Sequence, residues 1–371
     1  MTTAAEGSQQ DDGTADDVKP LGVGVVGLGV MGAQHVESYR VANAVGAHNR
    51  LVAVCDPSEE RRSGQLDGGG NLETDGPEPR RLFEPDQLSA YAKPEELLAD
   101  EAVDVVSICT YTDSHVPLAI AALEAGKHVL VEKPIALRSA DVAELVTVAA
   151  RHGEQFCMPA MCIRFWPGWR WVRERVVDGS LGAVQSARFR RFAAAPNWGR
   201  EFYGDATRSG GALTDLHVHD ADFVRWVFGP PHAVETTGNP TQFSTRYIYD
   251  GDGPEVHADG AWVPDPKTPF YMGFRVAFEQ GVADYAFGRE PLLRLEVPGQ
   301  RVQPIALPEG NGYDAEVTHL LKAIEAQRVV AEGGAPDANP FLDASLVEAV
   351  DLMAMIEAER ESLESGARVG L

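Results

Sequence analysis

The sequence predicts a two-part α/β protein. A doubly wound parallel sheet over residues 20–160 precedes an open, mostly antiparallel sheet with helices on one face over residues 161–371. Three observations carry this expectation. Up to about residue 160, short continuous apolar runs alternate with helical stretches, and strands without polar alternation are buried on both faces. Beyond about residue 165 the strands alternate apolar with polar residues, so one face is buried and the other is not. The length, 371 residues, suits two domains of roughly 150 residues or more.

In the first part the pattern predicts strands at 21–26, 51–55, 103–109, 128–131 and 155–158, with helices at 31–44, 116–125 and 139–151. Residues 63–87, with GGG and three prolines, read as an inserted surface loop. In the second part a helix over 168–178 stops at Gly179. Alternating strands follow at 182–192, 233–237, 246–249, 260–263, 274–279, 283–287 and 292–297. A helix over 212–228 interrupts them, and helices over 315–326 and 343–361 close the chain.

Composition narrows the function classes. The 32 Lys and Arg residues stand against 56 Asp and Glu, a formal charge of -24 that repels phosphate backbones and anionic headgroups. Nucleic-acid and membrane partners are therefore not expected. No apolar run approaches the ~20 residues of a membrane-spanning helix. Residues 1–19 are polar and acidic, read as a disordered leader with no signal-peptide pattern, and predict a cytoplasmic location. Cys55, Cys109, Cys157 and Cys162 form no CxxC pair and lie in apolar contexts, as buried free thiols would.

The segment GVGVVGLGVMG places Gly27, Gly29 and Gly32 as G-x-G-x-x-G between a strand and a helix. The first Gly permits the tight turn, the second admits a pyrophosphate, and the third lets helix and strand pack closely. The pyrophosphate then meets the unpaired N–H groups and the dipole of the helix N-terminus. A second strand ends at Asp56, where an acid receives the ribose hydroxyls of a dinucleotide in a Rossmann domain. A carboxylate there repels a 2′-phosphate and favours NAD over NADP, although Arg61 and Arg62 offer a phosphate some compensation.

Three further segments carry a family resemblance: CTYTDSHVPLAIAALEAGKHVLVEKPIAL, GGALTDLHVHDADFVRWVFG, and RFWP at Arg164–Pro167. Together with GxGxxGxxH from Gly27 to His35 and the terminal SLESGARV, they resemble the Gfo/Idh/MocA oxidoreductases over nearly the whole chain. The resemblance implies NAD(P) in the first domain and a sugar or polyol against the sheet of the second. It implies cofactor contacts from Gly27, Gly29, Val30, Met31, Gly32, Asp56, Thr110, Tyr111, Thr112, His115, Glu132 and Lys133. It further implies Lys133 as donor to the reacting oxygen, His219 as acid/base, and Asp215 as the residue holding a substrate hydroxyl or orienting the imidazole. A cis bond before Pro134 is frequent in such relatives, as is assembly into homodimers or homotetramers.

The residues themselves support that chemistry. Oxidising an alcohol requires a general base near neutral pH, which histidine supplies. Asp215 and His219 are four apart in a stretch that reads as helix and so share a face. His217 and His219 are two apart, pointing about 200° apart on a helix, so no metal is expected. His217 replaces a residue that is Gly in many relatives, and either lines a pocket or packs under the sheet. Trp198 is a candidate platform for a sugar face, so the expected substrate contacts are Lys133, Trp198, Asp215 and His219. Tyr111 stacks on a ligand or covers its loop, and Met161 contributes an apolar pocket wall. Two other functions suit the same residues: an NAD-dependent glycosidase working by transient oxidation and elimination, and a non-catalytic NAD-binding regulator.

Overall fold

A computed structural model describes residues 19–65, 81–336 and 341–371. The expected leader lies outside them apart from Lys19, as does most of the expected insertion, whose ends are joined by a bridge between Gln65 and Arg81.

Six parallel strands form the first sheet: β1 (Leu21–Val26), β2 (Asn49–Cys55), β3 (Ser89–Tyr91), β4 (Val105–Ile108), β5 (His128–Val131) and β6 (Cys157–Pro159). Their order is β3-β2-β1-β4-β5-β6. Val23, Val25, Val105, Val106 and Val129 are fully buried, as continuous apolar strands between two helical layers must be. The order reverses between β1 and β4, so a crevice opens at the carboxyl ends of those strands, where open α/β sheets bind ligands.

The second sheet has nine strands: β7 (Val184–Ala194), β8 (Ala233–Asn239), β9 (Gln242–Ile248), β10 (Glu255–Val263), β11 (Tyr271–Phe278), β12 (Gly281–Ala286), β13 (Leu293–Glu296), β14 (Gln303–Ile305) and β15 (Val369–Gly370). The order is β14-β13-β12-β11-β7-β10-β9-β8-β15, antiparallel except for the β7/β10 pair. Ala187 and Phe189 of β7 point into the core, where Phe189, Trp169, Phe223, Phe274 and Tyr285 pack largely edge to face. Arg188 and Arg190 point outward. Arg188 forms a two-pronged pair with Asp259 (2.7 and 2.9 Å), and Arg275 meets Glu296 at 2.7 Å, so the uncovered face is ionic.

The helix Pro167–Asp178 ends at Gly179, whose φ of 65° suits a residue without a Cβ. Several short elements were not expected, among them β3, the helices Glu59–Arg62, Pro94–Leu98, Arg200–Tyr203 and Ala206–Ser209, and β14 and β15. More consequential, the expected helix over 212–228 is two helices, Gly211–Asp215 and Val218–Phe228. The Ala212 carbonyl accepts from both the Leu216 and His217 amides (3.2 and 3.1 Å), which widens the turn and breaks the register.

The last two long helices return to the first domain. Gly312–Ala331 packs on Val30–Ala44, with Ser38 Oγ donating to Asp314 Oδ1 at 2.6 Å. Leu346–Ser365 opens on a capping box between Ser345 and Glu348 and packs on Ser139–Ala149. Among the described residues no helix is long and apolar enough to cross a membrane.

Candidate active site

The glycine turn has the shape a dinucleotide needs. Gly27 sits at φ 88°, and a Cβ there would lie 2.6 Å from the Cys109 carbonyl oxygen. A Cβ on Gly32 would lie 1.9 Å from the Gly27 oxygen, so helix and strand close on each other only because both are glycine. Around Gly29 nothing approaches within 4 Å, which leaves the open side for a pyrophosphate. Gly29 caps the helix Val30–Ala44 with no side-chain acceptor and no acid in the first turn, so its N–H groups and dipole remain available to an anion. These residues fit the phosphate portion of NAD. Val30 is partly exposed beside them, and Met31 is half-buried.

Asp56 stands at the end of β2 directly beside that turn. Its Oδ2 accepts from Leu28 N and its Oδ1 from Ser58 N, both at 2.8 Å. Arg62 Nη1 donates to the carbonyls of Asp56 and Pro57 (2.7 and 2.9 Å), and Arg61 lies 3.9 Å from Asp56.

After β4 the chain passes through Thr110, Tyr111 and Thr112. Tyr111 stacks on Phe202 of the second domain at 4.4 Å and is otherwise exposed. His115 is buried, with its ring nitrogens 3.0 Å from the Thr110 carbonyl and 2.9 Å from that of Pro134. It ties this loop to the Glu132-Lys133-Pro134 loop. Burial, only partly offset by those two carbonyls, lowers its pKa.

Glu132 is likewise buried. Its Oε1 pairs with His35 Nε2 at 3.0 Å, and its Oε2 accepts the Lys133 amide at 3.0 Å. Burial opposes ionisation, but His35 and the Lys133 charge bring its pKa below the ordinary carboxylate value. His35 Nδ1 lies 3.1 Å from Ser107 Oγ, which also meets Tyr39 Oη at 2.8 Å. His115 and Glu132 thus orient the loops that carry Thr110 and Lys133. His35 and Ser107, which sequence reasoning did not assign to the site, anchor that arrangement; the final His of GxGxxGxxH was the available signal.

Lys133 precedes a cis Pro134, and its side chain crosses to the second domain. Its Nζ donates to the Asp215 carbonyl at 2.8 Å and to Asp215 Oδ1 at 3.2 Å, a contact between residues 82 positions apart. The break after Asp215 makes this possible, since an unbroken helix would engage that carbonyl with the amide four residues on. His219 follows in the next helix. Burial, then the positive charges of Lys133 and Arg191, hold its pKa well below the usual histidine value. It is a neutral imidazole at neutral pH, and its Nδ1 is buried without a protein partner.

His217 turns the other way, under the sheet. It is fully buried, with Nε2 2.9 Å from Glu359 Oε2 and 3.1 Å from Tyr247 Oη. The two histidine side chains thus lie in different surroundings, although the unbroken helix from which their divergence was expected is absent. Trp198 is half-buried and packs edge-on against Tyr203, which meets Trp262 in turn. Met161 does not form a pocket wall: it is 3 % exposed and belongs to the core. Arg164 is equally buried and pairs with Asp222 (2.6 and 2.8 Å) and Glu348 (2.8 Å).

A pocket of about 940 Å³ lies behind these loops, walled by Thr112, Leu137, Arg208, Leu213 and Leu363 among others. None of Lys133, Asp215 and His219 lines it.

The model of the GFO/IDH/MocA oxidoreductase family, with its NAD-binding Rossmann fold, matches residues 21–160, and that of the GFO/IDH/MocA C-terminal domain matches 169–287. The chain belongs to the Gfo/Idh/MocA family. A myo-inositol 2-dehydrogenase of Thermotoga maritima is 30% identical over 209 residues, covering 56% of this chain and 54% of that protein. A D-glucoside 3-dehydrogenase of Escherichia coli is 30% identical over 215 residues, covering 57% and 55%. The chain spans about half the length of the curated relatives it matches. Among solved structures, an oxidoreductase domain protein from Kribbella flavida has a similar fold, with a TM-score of 0.74 at 21% identity, covering 95% of this chain and 99% of that one. A levoglucosan dehydrogenase complexed with NADH and levoglucosan gives 0.73 at 19% identity, covering 95% and 99%.

Proposed function

We propose that the chain transfers hydride between NAD and a hydroxyl-bearing carbon of a sugar, inositol or sugar derivative. The contact that carries this proposal is Lys133 Nζ on Asp215, which joins the Glu132-Lys133-Pro134 loop to the turn bearing Asp215 and His219. NAD, when bound, supplies the acceptor or donor of hydride. Neutral His219 takes the alcohol proton as general base and returns it in the reverse direction. Lys133 donates to the reacting oxygen and stabilises the negative charge that develops there. Asp215, already fixed by Lys133, accepts from a substrate hydroxyl. Trp198 presents a ring face to the sugar. The named activities of the inositol, glucoside and levoglucosan dehydrogenases support the substrate class.

In the same proposal residues 20–160 bind the cofactor, residues 161–371 bind substrate, and the uncovered ionic sheet face pairs with another copy in a homodimer or homotetramer. Location in the cytoplasm fits the free buried thiols. Asp56, beside the glycine turn, favours NAD over NADP. Asp56→Ala should therefore weaken NAD binding more than NADP binding in a fluorescence titration; equal losses for both cofactors would contradict the assignment. The functional test is a panel of sugars, inositols and sugar derivatives scored for net reduction of NAD. Turnover of an aryl glycoside at constant NADH would point instead to a glycosidase.

A further inference from the structure

Resting on that proposal, one element outside the converging side chains links both halves of the site: the helix Leu346–Ser365. Within four residues it makes three contacts. Glu357 Oε1 accepts from Ser139 N (2.9 Å) and its Oε2 from Ser139 Oγ (2.8 Å), shortly after the loop carrying Lys133. Arg360 Nη2 donates to Thr214 Oγ1 at 2.9 Å, next to Asp215. Glu359 Oε2 lies 2.9 Å from His217 Nε2, midway between Asp215 and His219.

The last contact is the most deeply set. His217 and Glu359 are both 0 % exposed. Tyr247 Oη approaches the same His217 nitrogen at 3.1 Å, the Phe243 ring meets the imidazole edge-on at 5.0 Å, and Thr245 Oγ1 donates to Glu359 Oε2 at 3.4 Å. Burial opposes a charged imidazole, yet the adjacent Glu359 carboxylate carries the His217 pKa above its ordinary value. Moving either partner would break this buried contact between His217 Nε2 and Glu359 Oε2, while His217 Nδ1 and Glu359 Oε1 are buried without a hydrogen-bond partner. His217 is also the residue at which the helix breaks, so its side chain pins the pivot on which both Asp215 and His219 turn.

We propose that Glu359 is a positioning residue for hydride transfer, holding His217 so that the broken turn sets Asp215 and His219 against Lys133. It touches neither substrate nor cofactor, and its effect is geometric. Misplacement of reacting groups by about 1 Å costs on the order of 10²-fold in rate.

The test compares Glu359→Ala, Glu359→Asp and Glu359→Gln in the full chain, with NAD and the best substrate of the panel. Glu359→Ala should lower kcat by about 10- to 100-fold while the NAD Kd stays within about threefold. Glu359→Gln, whose amide oxygen still accepts from His217, should recover most of that loss. If the alanine variant does not fold, Glu359→Asp, which withdraws the carboxylate by about one methylene, should show the same split between kcat and Kd. Wild-type kcat in the folded Ala or Asp variant would overturn the proposal, and so would a loss that Gln fails to rescue. Lys133→Ala and His219→Ala run alongside: full activity in those two would remove the hydride-transfer proposal itself, whereas their inactivity with an active Glu359→Ala removes only the positioning role.

Discussion

His219→Ala should lower kcat by about 10²- to 10⁴-fold, the range for loss of a general base, while the NAD Kd is unchanged. In the proposed function the glycine turn and Asp56 would hold the phosphate and ribose ends of the cofactor, and His219 is on a helix of the other domain. The wild-type pH profile should report the same group. Because burial, Lys133 and Arg191 lower the His219 pKa, the imidazole is neutral through the physiological range. Alcohol oxidation should thus hold its rate down to a pH well below the ordinary histidine pKa, then fall as protonation removes the base. Carbonyl reduction needs the protonated form and should gain on the acid side. In His219→Ala both limbs should vanish. Wild-type turnover, or an acid limb that survives the substitution, would contradict the assignment.

Lys133→Ala should be comparably damaging, with kcat lower by about 10²- to 10⁴-fold, since it removes the donor to the reacting oxygen and the restraint on Asp215. It carries a second signature. The Lys133 charge helps to lower the His219 pKa, so its removal should move the residual acid limb to higher pH. A loss of rate with an unmoved limb would leave Lys133 a structural clamp on Asp215. A wild-type rate would return it to the role of an ordinary loop residue.

The sequence made some of this molecule legible and not the rest, for physical reasons. Leu21–Val26 and His128–Val131 are strands at the expected bounds because each is a continuous apolar run with polar or glycine-rich flanks. Ser89–Tyr91 escaped notice, being three residues long beside an insertion and paired along one edge with β2. The break at Leu216–His217 was hidden because Leu213, Leu216 and Phe223 keep a helical apolar spacing across it. What breaks the helix is tertiary: the burial of His217 against Glu359 and Tyr247, far away in sequence.

The site shows the same division. The turn at Gly27, Gly29 and Gly32 was readable because each glycine answers a local backbone requirement, whereas the ribose role of Asp56 belongs to the proposed function. Local sequence also marked Lys133, Asp215 and His219, but the Lys133–Asp215 contact spans 82 positions and depends on how the two sheets meet. Met161 was misplaced because an apolar residue next to a polar motif can line a pocket or fill a core, and only packing distinguishes the two.

The most direct measurement follows the hydride. A panel substrate carrying deuterium on the reacting carbinol carbon is incubated with the enzyme and NAD, and the reduced cofactor is weighed by mass spectrometry. Direct transfer predicts reduced NAD heavier by one deuterium, formed in step with the ketone or lactone product and suppressed in His219→Ala. Reduced NAD without the label, or no cofactor reduction with any sugar or polyol, would contradict hydride transfer at this site.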